Sequence, residues 1–276
     1  MGRNDLCFCG SGKKKKKCHN DIHETSEFSE VIKLYKTIDE KIKNETDFNK
    51  IKCHKGCSEC CSQYFPVTTV EVYYIVDKIL ETYGEYKLDE YIEKAKIRFE
   101  ELNTNHPQKA KELTINMSGN KSRDGLYNIM MNSVSNHNIE SKCIFLDKEG
   151  TCEVYPFRPM VCRTHGVGAP MESLDSLIDQ KPNHTIEVCS KINYSSTSEM
   201  SHLADLSEQM NDYSNLYTFY IKDSATIATE RMFPIFYFFS KFYGKKDILF
   251  EKVKQYKILD KDFLMANKAS KIRKRG

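Results

Sequence analysis

Residues 53–75 read CHKGCSECCSQYFPVTTVEVYYI, and residues 143–166 read CIFLDKEGTCEVYPFRPMVCRTHG. The first block places Cys53, Cys57, Cys60 and Cys61 directly ahead of a helix signature. Thr68 and Glu71 stand at capping-box spacing, and Val72, Ile75, Val76, Ile79, Leu80 and Tyr83 mark one face before Gly84 ends the run. In the second block, CIFLD and TCEVY flank Lys148-Glu149-Gly150 as the arms of a short β-hairpin do. Pro156 and Pro159 then impose an irregular or first-turn backbone ahead of Cys162. Two cysteine-rich loops, one followed by a helix and one built on a hairpin, set the expectation of a mainly α-helical metal-binding fold.

The chain has 276 residues and eleven cysteines, an odd number that does not allow complete internal pairing. The opening MGRNDLCFCG lacks the apolar core of a secretory segment, so a cytoplasmic location is expected. In a reducing compartment, clustered cysteines serve metals or catalysis more often than structural disulfides. The strongest apolar run, Met232 to Phe239, contains Pro234 and is far short of the ~20 residues that span a bilayer. It reads as a core helix or buried segment, and no transmembrane segment is expected. The net charge of +3, from 42 basic and 39 acidic residues, gives no global electrostatic case for nucleic acid or an anionic membrane, and specific nucleic-acid binding is not supported.

Residues 1–20 hold glycine, lysine and cysteine with almost no aliphatic side chains, so a hydrophobic core cannot fold them. Cys7, Cys9, Cys18 and His19 offer three thiolates and an imidazole, a donor set that Zn²⁺ takes tetrahedrally. Gly10-Ser11-Gly12 permits the positive-φ turns that wrap both arms around one ion. Lys13 to Lys17 form either a solvated turn or a strip able to touch phosphate non-specifically.

Beyond this piece, Asp21 and Glu24 at capping spacing precede an apolar stripe of Phe28, Val31, Ile32, Tyr35, Ile38 and Ile42, predicting one linker helix within 21–50. Segments 88–103, 107–117 and 124–136 also read as helical. Residues 166–198 read as a long loop that Cys189 pins. Ser196 and Glu199 are expected to open a helix carrying Leu203, Leu206, Met210, Tyr213, Leu216 and Tyr220, with further helices filling a C-terminal extension over 193–276. A cysteine-cluster domain over 51–192 occupies the middle.

In the central block the CxxC spacing of Cys57 and Cys60 lets a tight turn aim two sulfurs at one ion, and Cys53 joins them. Neighbouring side chains diverge, so Cys60 and Cys61 suit a binuclear site, or one ligand with a second thiol beside it. Cys143, Cys152, Cys162 and Cys189 supply four more thiolates. Eight thiolates around two zinc ions carry a net negative charge, which gives Lys55, Arg158 and Arg163 a role as donors to sulfur. A four-cysteine iron–sulfur centre is the alternative. His165, three residues after Cys162, is a candidate ligand or a hydrogen-bonding neighbour.

Two resemblances rest on these residues. GRNDLCFCGSGKKKKKCH resembles the SEC-C motif, with Leu6 and Phe8 where the motif carries prolines and every ligand in place. In its best-known setting, the end of the translocase ATPase SecA, this motif is a zinc-stabilised docking module for a chaperone and the ribosome. The resemblance therefore implies zinc and a protein or ribosome-associated partner through residues 1–20. The CxxxCxxCC block, the C-x-FL-D…G-x-C-x-x-Y hairpin and the RPxxCR turn resemble the YkgJ-like cysteine-cluster family, which implies zinc or iron chelation. Carried over position by position, the family's eight cysteines fall on Cys53, Cys57, Cys60, Cys61, Cys143, Cys152, Cys162 and Cys189.

Whether the chain is an enzyme stays open at this level. Flagellin lysine methylases contain a similar cysteine region, which makes an iron–sulfur-associated methyl transfer the alternative function. No G-x-G-x-x-G fingerprint supports it, and no catalytic residue is named. The triplet Cys53, Cys57 and Cys60 has radical-enzyme spacing, but adjacent Cys61 and the lack of β/α alternation argue against that barrel.

Overall fold

The computed structural model describes residues 2–52, 54, 56–62, 65–114, 142–169, 189, 201–220, 227–230 and 232–264. Its helices are α1 (Glu27–Glu45), α2 (Thr69–Tyr83), α3 (Glu85–Asn105), α4 (Pro107–Thr114), α5 (Met160–Thr164), α6 (Ser207–Ser214), α7 (Ile235–Ser240) and α8 (Lys246–Ile258). Short strands complete it: β1 (Pro66–Val67), β2 (Gly168–Ala169), β3 (Ala204–Asp205), β4 (Thr218–Tyr220), β5 (Ile227–Thr229) and β6 (Phe233–Pro234). They form three two-stranded ribbons, with β1–β6 and β4–β5 antiparallel and β2–β3 parallel. The fold is mainly helical, as the sequence predicts.

Helix α1 buries the whole predicted stripe, Phe28, Val31, Ile32, Tyr35, Ile38 and Ile42. Its start differs from the expectation. The cap is Ser26, whose hydroxyl accepts from the Ser29 amide at 3.3 Å, because that oxygen stands at the offset that reaches a free first-turn N–H. Asp21 instead forms an ion pair with Lys257 at 2.5 Å.

Helix α2 carries the predicted capping box: the Thr68 hydroxyl accepts from the Glu71 amide at 3.3 Å, and the Thr68 amide donates to Glu71 Oε2 at 3.0 Å. Gly84, at φ 79°, turns the chain through the left-handed region, so α3 begins one residue after α2 ends. Helix α4 reaches Thr114, and the predicted segment 124–136 lies outside the described residues.

Helix α2 packs between α1 and α3, α8 closes over α1 and α2, and α7 lies along α3. The shared core therefore runs from Phe28 and Ile38 through Ile75 and Ile79 to Leu88, Tyr91, Phe236 and Phe239, all essentially buried. Burying side chains of this size contributes roughly 1.5–3 kcal/mol each. Phe145 from the second cysteine block plugs into this core edge-on, with its ring 4.9 Å from Tyr91 and 5.3 Å from Phe239.

The predicted hairpin is short, with a single antiparallel bridge, Leu146 to Cys152, flanked by Asp147 N–H to Thr151 C=O at 3.0 Å and Glu153 N–H to Phe145 C=O at 2.9 Å. One local expectation is corrected. The helix expected to open at Ser196 begins instead at Ser207, because the Asp205 carboxylate accepts from the Ser207 amide at 3.0 Å and hydroxyl at 2.7 Å. Leu203 and Leu206 are buried but precede that helix, and residues 196–200 lie outside the described residues. In the Met232 to Phe239 run, Pro234 ends β6 and caps α7.

Candidate metal centres

The N-terminal arms are zipped by the bridge between Leu6 and Lys14, by Cys7 N–H to Lys13 C=O at 2.8 Å, and by a 3-10 turn over Lys15–Lys17 that delivers Cys18. Gly10, at φ 67°, reverses the chain after Cys9. The result brings Cys7 Sγ to 3.3 Å and Cys18 Sγ to 3.4 Å from His19 Nδ1, and Cys9 Sγ to 3.5 Å from Cys18 Sγ. All four ligand atoms lie within 4.8 Å of one another. Tetrahedral zinc with bonds of ~2.0–2.3 Å places its donors about 3.5–3.8 Å apart, so this quartet is gathered on the scale that one ion requires.

Electrostatics agree with that role. Burial and the nearby Lys78 lower the pKa of His19, which keeps the imidazole in the neutral form that binds metal. Burial alone raises the Cys9 thiol, but hydrogen bonds with Ser11, Cys18 and Cys7 together draw its pKa below the usual value. The ring of Phe8 stacks on His19 at 5.3 Å between centroids and holds the imidazole plane.

In the centre, Cys57, Cys60 and Cys61 lie on and before a 3-10 turn, Glu59–Ser62. Ser58 Oγ stands 3.7 Å from where a Cβ on Gly150 would be, which sets this loop against the tip of the second cysteine turn. The Cys61 thiol is raised first by its hydrogen bond with Cys60, then by burial and by Cys143 and Cys162; the same hydrogen bond lowers Cys60. Burial and the Cys143 and Cys60 thiols push Cys152 up to about 12 and raise Cys162 well above the usual thiol value. Cys60 and Cys61 of the first block and Cys143, Cys152 and Cys162 of the second therefore lie within electrostatic reach of one another.

This grouping is looser than at the N-terminus. Among the described residues, the N-terminal quartet is the one group of three or more candidate ligands whose atoms all lie within 4.8 Å. Cys53 and Lys55 lie outside the described residues, and Cys189 is buried. All ten described cysteines are free of disulfides.

Of the flanking residues, Arg158 donates to backbone carbonyls beside the thiols. Its Nε donates to the Cys162 carbonyl at 3.1 Å and its guanidinium lies 3.9 Å over the Tyr155 ring, so a positive charge stands beside the Cys152 and Cys162 thiols. Arg163 turns to the other side of α5, where it forms an ion pair with Asp39 of α1 and donates to the Pro156 carbonyl at 2.8 Å. His165 packs its ring 4.8 Å from Phe65, and burial lowers its pKa to about 4.

One residue that sequence reading treats only as a cap organises this region. The buried Glu71 carboxylate accepts from Tyr35 at 2.7 Å, from the Met160 amide at 2.7 Å and from Tyr213 at 2.7 Å, besides Thr68. Met160 opens α5, so Glu71 fixes the helix that presents Cys162. The capping spacing reveals half of this role; the two tyrosines carry no local signal.

Residues 52–190, half of the chain, match the CxxCxxCC model, described as a "Putative zinc- or iron-chelating domain". The chain belongs to the CxxCxxCC family. Residues 3–21 also match the SEC-C motif, and they include all four atoms of the N-terminal quartet. No curated protein and no solved structure matches the chain at a significant level. In this CxxCxxCC protein, no helix among the described residues is long and apolar enough to cross a membrane.

Proposed function

We propose that this CxxCxxCC protein is a cytoplasmic metal-binding protein with two kinds of site. Zinc is held by Cys7, Cys9, Cys18 and His19. Zinc or an iron–sulfur centre is held by Cys53, Cys57, Cys60, Cys61, Cys143, Cys152, Cys162 and Cys189. Residues 1–20 dock a protein or ribosome-associated partner.

The observation that carries the metal reading is the gathering of Cys7, Cys9, Cys18 and His19, whose ligand atoms all lie within 4.8 Å of one another. Gathered thiolates are costly without a cation beside them, and a bound ion is what stabilises such a set. Support for the docking reading comes from the exposed Lys13, Lys14, Lys16 and Lys17 on the outer side of the knuckle.

Elemental analysis and a visible spectrum of protein purified without oxygen test the metal reading. Bound metal beyond one equivalent per chain supports it, and charge-transfer absorbance identifies iron–sulfur where colourless protein with zinc identifies zinc. Protein with no metal beyond the N-terminal equivalent overturns the central site. For docking, a pull-down with and without residues 1–20 decides; the same partners on deletion defeat it.

A further inference from the structure

The knuckle is not a free tether. Cys7 and Cys9 are 3% and 8% exposed, and both belong to the same hydrophobic cluster as the helices, with Phe8 and Cys18 packed against it. Lys36 on α1 donates to the Gly10 carbonyl at 2.9 Å, and a Cβ at Gly10 would stand 2.6 Å from that ammonium, so the turn presses directly on the helix. Lys33, one turn earlier, sits 5.8 Å over the Phe8 ring.

The segment from Asp21 to Ser26 extends the attachment to two more helices. Ile22 is 1% exposed in the core. Asp21 meets Lys257 at the end of α8, and Lys257 also reaches Asp77 of α2 at 2.8 Å. The His23 amide donates to the Lys257 carbonyl at 2.9 Å, the Lys261 amide donates to the Thr25 carbonyl at 2.9 Å, and Ser26 bridges Asp260. His19 itself lies in the field of Lys78, Asp21, Glu81 and Lys257.

We infer that the Cys7/Cys9/Cys18/His19 site is a metal-dependent clasp, which closes the corner where α1, α2 and α8 meet. Residues 1–20 have no core of their own, so their shape depends on the ion. Once shaped, they seat Phe8, Gly10 and Ile22 against helices drawn from both ends of the chain. Loss of that ion therefore loosens the helical body as well as the exposed basic strip. This inference rests on the zinc reading of the quartet and goes beyond docking, which a tethered knuckle performs equally well.

The test is hydrogen exchange and thermal unfolding of the full chain in wild-type and Cys18→Ser forms, with zinc measured on the same samples. Mutation, unlike a chelator, leaves the central cysteines untouched. The clasp predicts loss of one zinc, a midpoint lower by at least 5 °C, and exchange faster by tenfold or more in the last turn of α8 and the first turns of α1. Amides of the α3–α7 pair keep their protection. Loss of one zinc with unchanged midpoint and unchanged exchange in α1 and α8 overturns the clasp while leaving the zinc reading intact. Unchanged zinc content overturns the zinc reading and the clasp with it.

If Cys18→Ser does not accumulate as folded protein, Lys36→Met decides, because it keeps all four ligands. The clasp predicts retained zinc with faster exchange in residues 5–18 and in α8; exchange unchanged in α8 overturns it.

Discussion

The Tyr213 hydroxyl donates to the Glu71 carboxylate at 2.7 Å, joining residues 142 apart in the chain. Tyr35 and the Met160 amide donate to the other oxygen, so one buried carboxylate fastens α1, α2, α5 and α6. Buried charge is tolerable only when its lone pairs are filled, and here five donors fill them. Tyr213→Phe removes one donor and is expected to cost about 1.5–3 kcal/mol in urea unfolding, the range for hydrogen bonds to charged groups. Glu71→Ala strands all the donors and is expected to cost more than any single tyrosine change. An unchanged urea midpoint in Tyr213→Phe would show that the bond carries no weight.

Lys257 stands between Asp21 and Asp77, with Glu81 at 3.4 Å. Burial alone lowers its pKa, but its ion pairs outweigh this and hold it above the usual lysine value. Asp77 is buried enough that its pKa is raised despite the ammonium beside it. Lys257→Met therefore leaves a buried carboxylate without its cation and is expected to cost about 3 kcal/mol. Adding Asp77→Asn should recover most of that loss, and a double-mutant cycle showing simple additivity would contradict the pairing.

His165 titrates in the folded chain near pH 4, below its unfolded value of 6.5. Between those values the unfolded chain binds more protons, so stability is complete above about pH 6.5 and is lost as pH falls toward 4, by up to about 3 kcal/mol. His165→Phe should flatten that part of the stability–pH curve relative to wild type. Parallel curves for the two proteins would rule the assignment out.

Thiol burial also gives metal binding a pH dependence. Cys152 is pushed up to about 12 and Cys143 and Cys162 are raised by burial, so each is protonated at neutral pH and must lose its proton to ligate. Affinity at the central site should therefore fall as pH falls. Calorimetric titration of zinc in buffers of different ionisation enthalpy should register more than one proton released per central ion, and release of none would count against thiolate ligation there.

How far the sequence reveals this protein depends on the range of each signal. The N-terminal quartet is legible because its ligands span thirteen residues, Cys7 to His19, and two local turns close it. Helix α2 is legible because Thr68, Glu71 and Gly84 carry their cap and stop signals within the element. The start of α1 was displaced because Asp21 and Ser26 both offer capping oxygens, and the ion pair with Lys257, set by the tertiary fold, takes Asp21 away. The hairpin at 143–155 keeps its position with a single bridge, since Phe145 pulls the arm into the core at Tyr91 and Phe239. Arg163 looked like a partner for sulfur from its place beside Cys162; on α5 adjacent residues diverge, and its guanidinium meets Asp39. Contacts such as Tyr213 to Glu71 leave no periodicity to read.

We propose that the two cysteine blocks serve one metal centre. Metal content of full-length Cys60→Ser and Cys162→Ser, one residue from each block, tests it most directly. Each substitution should remove the same central metal while the N-terminal zinc stays in place. Full central occupancy in either variant would contradict a shared centre.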